Sequence, residues 1–147
     1  AMILTPLPGS NDWTGDLDTL RVSVPAQLNP PLARLDAELP PDARVLLVGQ
    51  ASVFHVRHEI VYNTVFNDEI LETIARGRSP AQVRHELHWR GITHVYVDWR
   101  EIARHRKPGG YGFTDFVTPE LFASLVAAGV LEPARRLGEE HDLYRVR

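Results

Sequence analysis

Cysteine is absent from the 147 residues. Disulfides, thiolate metal sites and a cysteine nucleophile are therefore excluded, and the compartment is left open. Lysine is almost absent as well: Lys107 is alone among 16 basic residues, and the others are arginine. We read this as the coding bias of a GC-rich genome and not as a site, although arginine also suits anion contacts. Against those bases stand 19 acids, a formal net charge of -3, so no basic field invites nucleic acid. No apolar run approaches the roughly 20 residues needed to span a bilayer. The longest, Leu121–Leu131, has eleven and contains a serine and a glycine. The charged start and apolar centre of a secretory leader are missing too. Ala1 ahead of Met2 reads as a cloning remnant, which would make the chain a piece cut from a longer protein.

What is present describes a globular domain. Hydrophobic residues make up 44% of the chain, enough for a proper core at this length. Residues 1–42 differ from the rest. They hold seven of the eleven prolines and six acids against two arginines, a balance of -4, whereas residues 43–147 balance at +1. We therefore expect a proline-rich arm over 1–42, packing on or leading into an α/β domain over 43–147. Within the arm, Leu4–Thr14 reads as extended and turn-rich, and Asp16–Val24 as a short helix. Asn29 caps a further helix that opens on Pro30 and Pro31 and carries the stripe Leu32, Leu35, Leu39.

Val45–Val48 is a continuous apolar run ended by Gly49, the pattern of a strand buried on both faces. Ile92–Trp99 has the same character, and Ile60–Thr64 reads as a third strand. Between them, Asn67 or Asp68 caps a helix running to Arg76, with Ile70, Leu71 and Ile74 inward. Ser79-Pro80 opens a helix that buries Val83, Leu87 and Trp89. Arg100–Arg106 is a short helix, Lys107–Gly112 a flexible loop, and Thr118-Pro119 opens a helix ending at Gly129. The tail folds as a hairpin around Glu139-Glu140. Strand–helix–strand alternation predicts a Rossmann-like three-layer α/β sandwich. Its parallel core is ordered Ile60–Thr64, Val45–Val48, His94–Val97, and is extended by the antiparallel C-terminal hairpin.

Familiar chemical motifs are incomplete. Gly49 follows a strand, but Ala51 and Phe54 occupy the places where a dinucleotide fingerprint needs glycine. Gly109-Gly110-Tyr111-Gly112 lacks the Lys-Ser/Thr pair of a phosphate loop and reads as a hinge or lid. His85 and His88 stand three apart, not the zincin four, and no third ligand follows by spacing. No metal site, cofactor or catalytic residue is assigned. In open parallel sheets ligands bind beyond the C-terminal strand ends. That rule gathers a candidate crevice from Gln50, Ser52, Asn63, Thr64, Asp68, Asp98, Glu101 and Tyr111. Asp98 also reads as the cap of the helix after it, and Asn63 and Thr64 as a turn.

Three segments together, VLLVG (45–49), VYNTVF (61–66) and GITHVYVDW (91–99), resemble the soluble C-terminal domain of large bacterial multispanning glycosyltransferases of the dolichyl-phosphate-mannose-protein mannosyltransferase type. The resemblance covers most of residues 43–131. It implies a non-catalytic accessory domain on the extracytoplasmic face of a bacterial membrane. The membrane-embedded part of the parent chain would be its partner, and a sugar or glycan its ligand. The family acts on lipid-phosphate-linked sugars through acids in membrane loops, and none of those motifs is in this chain, so no catalytic residue carries over. Two other readings stay open. One is a stand-alone small-molecule binder or enzyme using the crevice, which would be cytoplasmic. The other is an interaction module presenting Trp13 and the acidic arm. Oligomeric state is not encoded in any pattern found.

Overall fold

Burial on two sides explains the middle of the molecule. Strand β1 (Arg44–Val48) alternates its side chains between two separate apolar clusters, as the two-residue period of a strand requires. Leu46 and Val48 join one cluster, and Val45 and Leu47 the other. The computed structural model describes residues 30–147 apart from 54–55 and 65–66. The extended arm, Trp13, the helix expected over Asp16–Val24, the Asn29 cap and Phe54 lie outside the described residues.

The protein is a mixed α/β fold on one open five-stranded sheet. Strand β2 (Glu59–Val61) and β3 (His94–Asp98) flank β1 and run parallel to it. Leu46 sits opposite Val61 on one side and Val95 on the other. Strand β5 (His141–Arg145) pairs antiparallel with β3, and β4 (Arg135–Gly138) closes the edge antiparallel to β5. The order is β2-β1-β3-β5-β4, so the expected core order and the hairpin extension both occur. β2 is shorter than the expected Ile60–Thr64: pairing stops at Val61, and the polar Asn63 and Thr64 leave the sheet.

Helices cover both faces. Helix α1 (Pro30–Glu38) lays Leu32 and Leu35 on the face formed by Val45, Leu47, Tyr96 and Leu143. On the other face lie α2 (Ile70–Ala75), α3 (Pro80–Trp89), α4 (Trp99–Arg106) and α5 (Pro119–Ala127). They contribute Leu71, Ile74, Val83, Leu87, Ile102, Phe122 and Leu125 to the cluster with Leu46, Val48, Val95 and Val97. Phe122 stacks on Tyr144 of β5 at 4.7 Å between ring centres and takes the edge of Trp99 at 5.6 Å. These are favoured aromatic geometries that tie α5 to the sheet.

Two helix readings need correction. Helix α2 begins one or two residues later than expected, and its cap is Glu69, not Asn67 or Asp68. Trp89 is 79% exposed and not part of the buried side of α3. Val83 and Leu87, four apart, share the inward face, and two further residues at 100° each carry Trp89 to the opposite side. The start of α3 follows the sequence closely. Ser79 accepts from the Gln82 amide while the Gln82 side chain accepts from the Ser79 amide, a reciprocal box with Pro80 in the first turn.

Because Leu35 is fully buried on the α1 face, α1 is expected to be integral to the core and not a detachable leader. Leu35→Ala should cost about 2–5 kcal/mol, the range for deleting a buried leucine side chain. Urea denaturation measures it. A loss under about 0.5 kcal/mol would mean that the sheet does not depend on α1.

Candidate functional site

The end of β1 is shaped by a glycine that nothing else can replace. Gly49 has φ +80°, and a Cβ there would come within 2.5 Å of Ile102 Cγ1 and 2.9 Å of the Asp98 carbonyl. The chain therefore turns tightly against α4 and delivers Gln50. The Gln50 amide is held at both ends. Its Oε1 accepts the N–H groups of Ala51 and Ser52, each at 2.9 Å, and its Nε2 donates to Asp98 Oδ2 at 3.2 Å.

Asp98 is the last residue of β3 and the cap of α4. Its Oδ1 accepts the Glu101 amide at 3.0 Å and lies 3.4 Å from His141 Nε2. Burial raises its carboxyl above the usual range, while the Glu101 amide and His141 pull the other way. Both oxygens are thus engaged by the protein itself. The neighbouring Glu101 pairs with Arg104 at 2.6 Å.

Beyond the strand ends lies a cleft of about 240 Å³. Its floor comes from Gly49, Gln50 and Ala51 after β1, and from Asn63 and Thr64 after β2. Asn67 and Glu69, just before α2, form one wall. His105 of α4 and the loop residues Tyr111, Gly112, Phe113 and Thr114 form the other. Of the candidate residues from the sequence, Gln50, Asn63, Thr64 and Tyr111 meet in this cleft. Ser52, Asp68, Asp98 and Glu101 do not line it, and Asp98 reaches it only through Gln50. Glu69 and His105 were missed, because neither sits directly at a strand end. The signal that could have found Glu69 is an acid at the start of an apolar helix whose flanking Asp68 competes for the same capping role.

The glycine-rich loop is not a free lid. It folds back on the C-terminal turn of α4. The Gly110 amide donates to the Lys107 carbonyl at 2.8 Å and the Gly112 amide to the His105 carbonyl at 3.0 Å. A Cβ on Gly110 would meet the His105 carbonyl at 2.4 Å, so no side chain fits at that crossing. Past the loop, Arg106 Nη2 donates to the carbonyls of Thr114 and Val117. Tyr111 is 74% exposed at the rim, with its ring 6.1 Å from that of His105.

Glu69 is the unusual group. It is 6% exposed. Its Oε2 accepts the Glu72 amide at 2.7 Å, while its Oε1 is buried with no partner among the described residues. Burial pushes its carboxyl up to about 7, against the smaller opposing pull of the Glu72 and Leu71 amides. Buried polar atoms are nearly always paired, so an unpaired carboxyl oxygen in a cleft wall marks where a partner belongs.

Other parts of the surface hold less. A hollow of about 650 Å³ at the opposite ends of the strands is lined by Glu38, Asp42, His94 and Arg135 among others, and Glu38 and Arg135 pair there at 2.6 Å. His88 Nε2 lies 2.7 Å from the Arg147 carbonyl. Among the described residues no group of three or more His, Asp or Glu side chains is placed to hold a metal ion, and no helix is long and apolar enough to cross a membrane.

No family model matches the chain, and no curated protein does. Among solved structures it is similar to the C-terminal globular domain of an oligosaccharyltransferase from Archaeoglobus fulgidus. The identity is 12%, with 94% of this chain and 98% of that one covered, at a TM-score of 0.44. No residue role is carried across from it.

Two outcomes follow from this geometry. The native Glu69 carboxyl holds its proton to about pH 7, whereas in the unfolded chain it loses it near 4.5. Between those values the native state binds more protons, so stability should fall as pH rises from about 4.5 to about 7 and then level off, by roughly 3 kcal/mol in all. Glu69→Gln should abolish that slope in urea melts across pH 4–8, and an unchanged slope would refute the assignment. Asp98→Ala removes a cap worth about 0.5–2 kcal/mol and strands the Gln50 amide. Asp98→Asn, which can still accept from the Glu101 amide, should lose less. Equal losses in thermal denaturation would deny Asp98 its capping role.

Proposed function

We propose that this chain is a non-catalytic accessory domain of a membrane glycosyltransferase-like protein, mannosyltransferase-like in type, that acts on lipid-phosphate-linked sugars. On this reading it is a Rossmann-like three-layer unit on the extracytoplasmic face of a bacterial membrane. The membrane-embedded part of the parent chain carries the chemistry, and this domain holds a ligand in its cleft. The observation that supports the reading is where the resembling segments fall. VLLVG covers Val45–Val48 of β1 and the glycine after it, VYNTVF begins at the end of β2, and GITHVYVDW contains β3. These three strands are neighbours, and the cleft opens where β1 and β2 end.

The chemistry of the cleft supports holding over turnover. Glycosyl chemistry of the two-carboxylate kind needs a pair of acids facing across the scissile bond. Among the described residues lining this cleft, Glu69 is the one carboxylate. The same cleft also supports a second reading, a stand-alone binder of a small molecule, because its walls come wholly from this chain.

The isolated chain is expected to give no glycosyl transfer with polyprenyl-phosphate sugars and a peptide acceptor. Turnover abolished by a single substitution in this chain would overturn the accessory reading. The coding sequence upstream separates the two readings: a series of apolar runs of about 20 residues supports the accessory domain, and a native start at Met2 supports the stand-alone binder.

A further inference from the structure

The chemistry of the cleft walls narrows the ligand. Among the described residues no lysine or arginine lines it. The nearby guanidinium groups are committed elsewhere: Arg104 to Glu101, Arg76 to Glu72, and Arg106 to the carbonyls of Thr114 and Val117. A phosphate or carboxylate would therefore enter without a cation and beside an acid. That is an unfavourable arrangement, since anion sites are built from arginine, lysine or converging amides.

The groups that do line the cleft are of another kind. Asn63, Asn67, Thr64 and Thr114 each both donate and accept through amide or hydroxyl side chains. Tyr111 and Phe113 bring aromatic surface to the same rim. Glu69 supplies a buried carboxyl oxygen with no hydrogen-bond partner among the described residues. A hydroxyl satisfies that oxygen in either protonation state, because it donates to a carboxylate and accepts from a carboxylic acid. An ammonium satisfies it in one state alone. At about 240 Å³ the cleft is smaller than the roughly 300–1,000 Å³ of pockets that take drug-sized ligands, so it suits a ligand of about one ring.

We propose that the cleft binds a neutral, hydroxyl-rich ring such as a single monosaccharide unit, with Glu69 hydrogen-bonding a ligand hydroxyl and Asn63 and Thr64 contacting the same ring. This rests on the cleft being a holding site, as proposed above, and adds the class of ligand it holds.

The test compares three related sugars on the 147-residue chain by NMR titration of the backbone amides at pH 6 and pH 8. N-acetylglucosamine is neutral, glucosamine carries an amine and glucose 6-phosphate is anionic. The proposal expects N-acetylglucosamine to give saturable shifts at residues 49–51, 63–64, 67–69 and 111–114 at both pH values. Glu69→Gln should stay within about threefold of the parent affinity, since the amide keeps a donor and an acceptor. Glu69→Ala should lose at least about tenfold, a change of one hydrogen bond to such a group. Asn63→Ala, which touches neither helix cap, should also weaken binding and so keeps the test valid if Glu69→Ala does not fold. No saturable shift with the neutral sugar, shifts away from these residues, or tighter binding of glucose 6-phosphate would overturn the proposal. So would binding of glucosamine alone, which would mark a cation site. Running the glycosyl transfer assay on the same sample keeps the two ideas apart. Binding with turnover supports the ligand class and rejects the accessory reading, whereas neither binding nor turnover rejects the ligand class alone.

Discussion

The Asp98 carboxylate joins three parts of the chain that are distant in sequence. One oxygen takes the first-turn amide of α4 and lies beside His141 at the start of β5, and the other takes the Gln50 side chain beyond β1. The end of the central strand, the start of a helix and the edge hairpin therefore share one buried acid. Burial makes its charge costly, and the three partners offset that cost together. Where Gln50 stands decides where Ala51 and Ser52 stand, because both donate to its amide oxygen. The floor of the cleft thus inherits its geometry from a residue that does not line it.

The far wall is held by hydrogen-bonded backbone as well as by the packing of Phe113, Phe116 and Val117 on the core. Gly110 crosses the last carbonyls of α4 with no room for a side chain, and Arg106 gathers the carbonyls of the segment that follows. Arg76 lies over the Phe116 ring at 4.7 Å and pairs with Glu72, so the same segment is tied to α2 on the opposite wall. A stretch that reads as hinge-like from its glycines is in fact a braced rim. Gly110 serves close approach, whereas Gly109 and Gly112 supply the positive φ of the turn, the two uses to which the residue is suited.

Much of the architecture is legible in local pattern. An apolar run closed by Gly49 makes a strand buried on both faces, and Leu32, Leu35 and Leu39 make a stripe that has to find a sheet. Ser79-Pro80 with Gln82, and Thr118-Pro119, set two helix starts through neighbours three residues apart. Trp89 is where pattern fails: its size suggests burial, but its angle on α3 is set by Val83 and Leu87. Glu69 fails for a similar reason, since three acceptors in a row, at Asn67, Asp68 and Glu69, can each cap a helix, and packing of Leu71 and Ile74 chooses the frame.

Local chemistry thus determined which elements form, several of their starts and stops, and the end of the sheet where polar residues collect. It also set aside disulfides, thiolate metal sites and a dinucleotide fingerprint, because each needs specific residues at specific spacing. Tertiary structure decided which polar residues face one another. Glu69 lies tens of residues before His105 and Thr114 and meets them only because α2, α4 and the loop after α4 converge over β1 and β2. It also decided that Asp98 is spent on the fold while Glu69 keeps an oxygen unpaired among the described residues. Both acids cap helices, and what separates them is the number of distant donors that folding brings within reach.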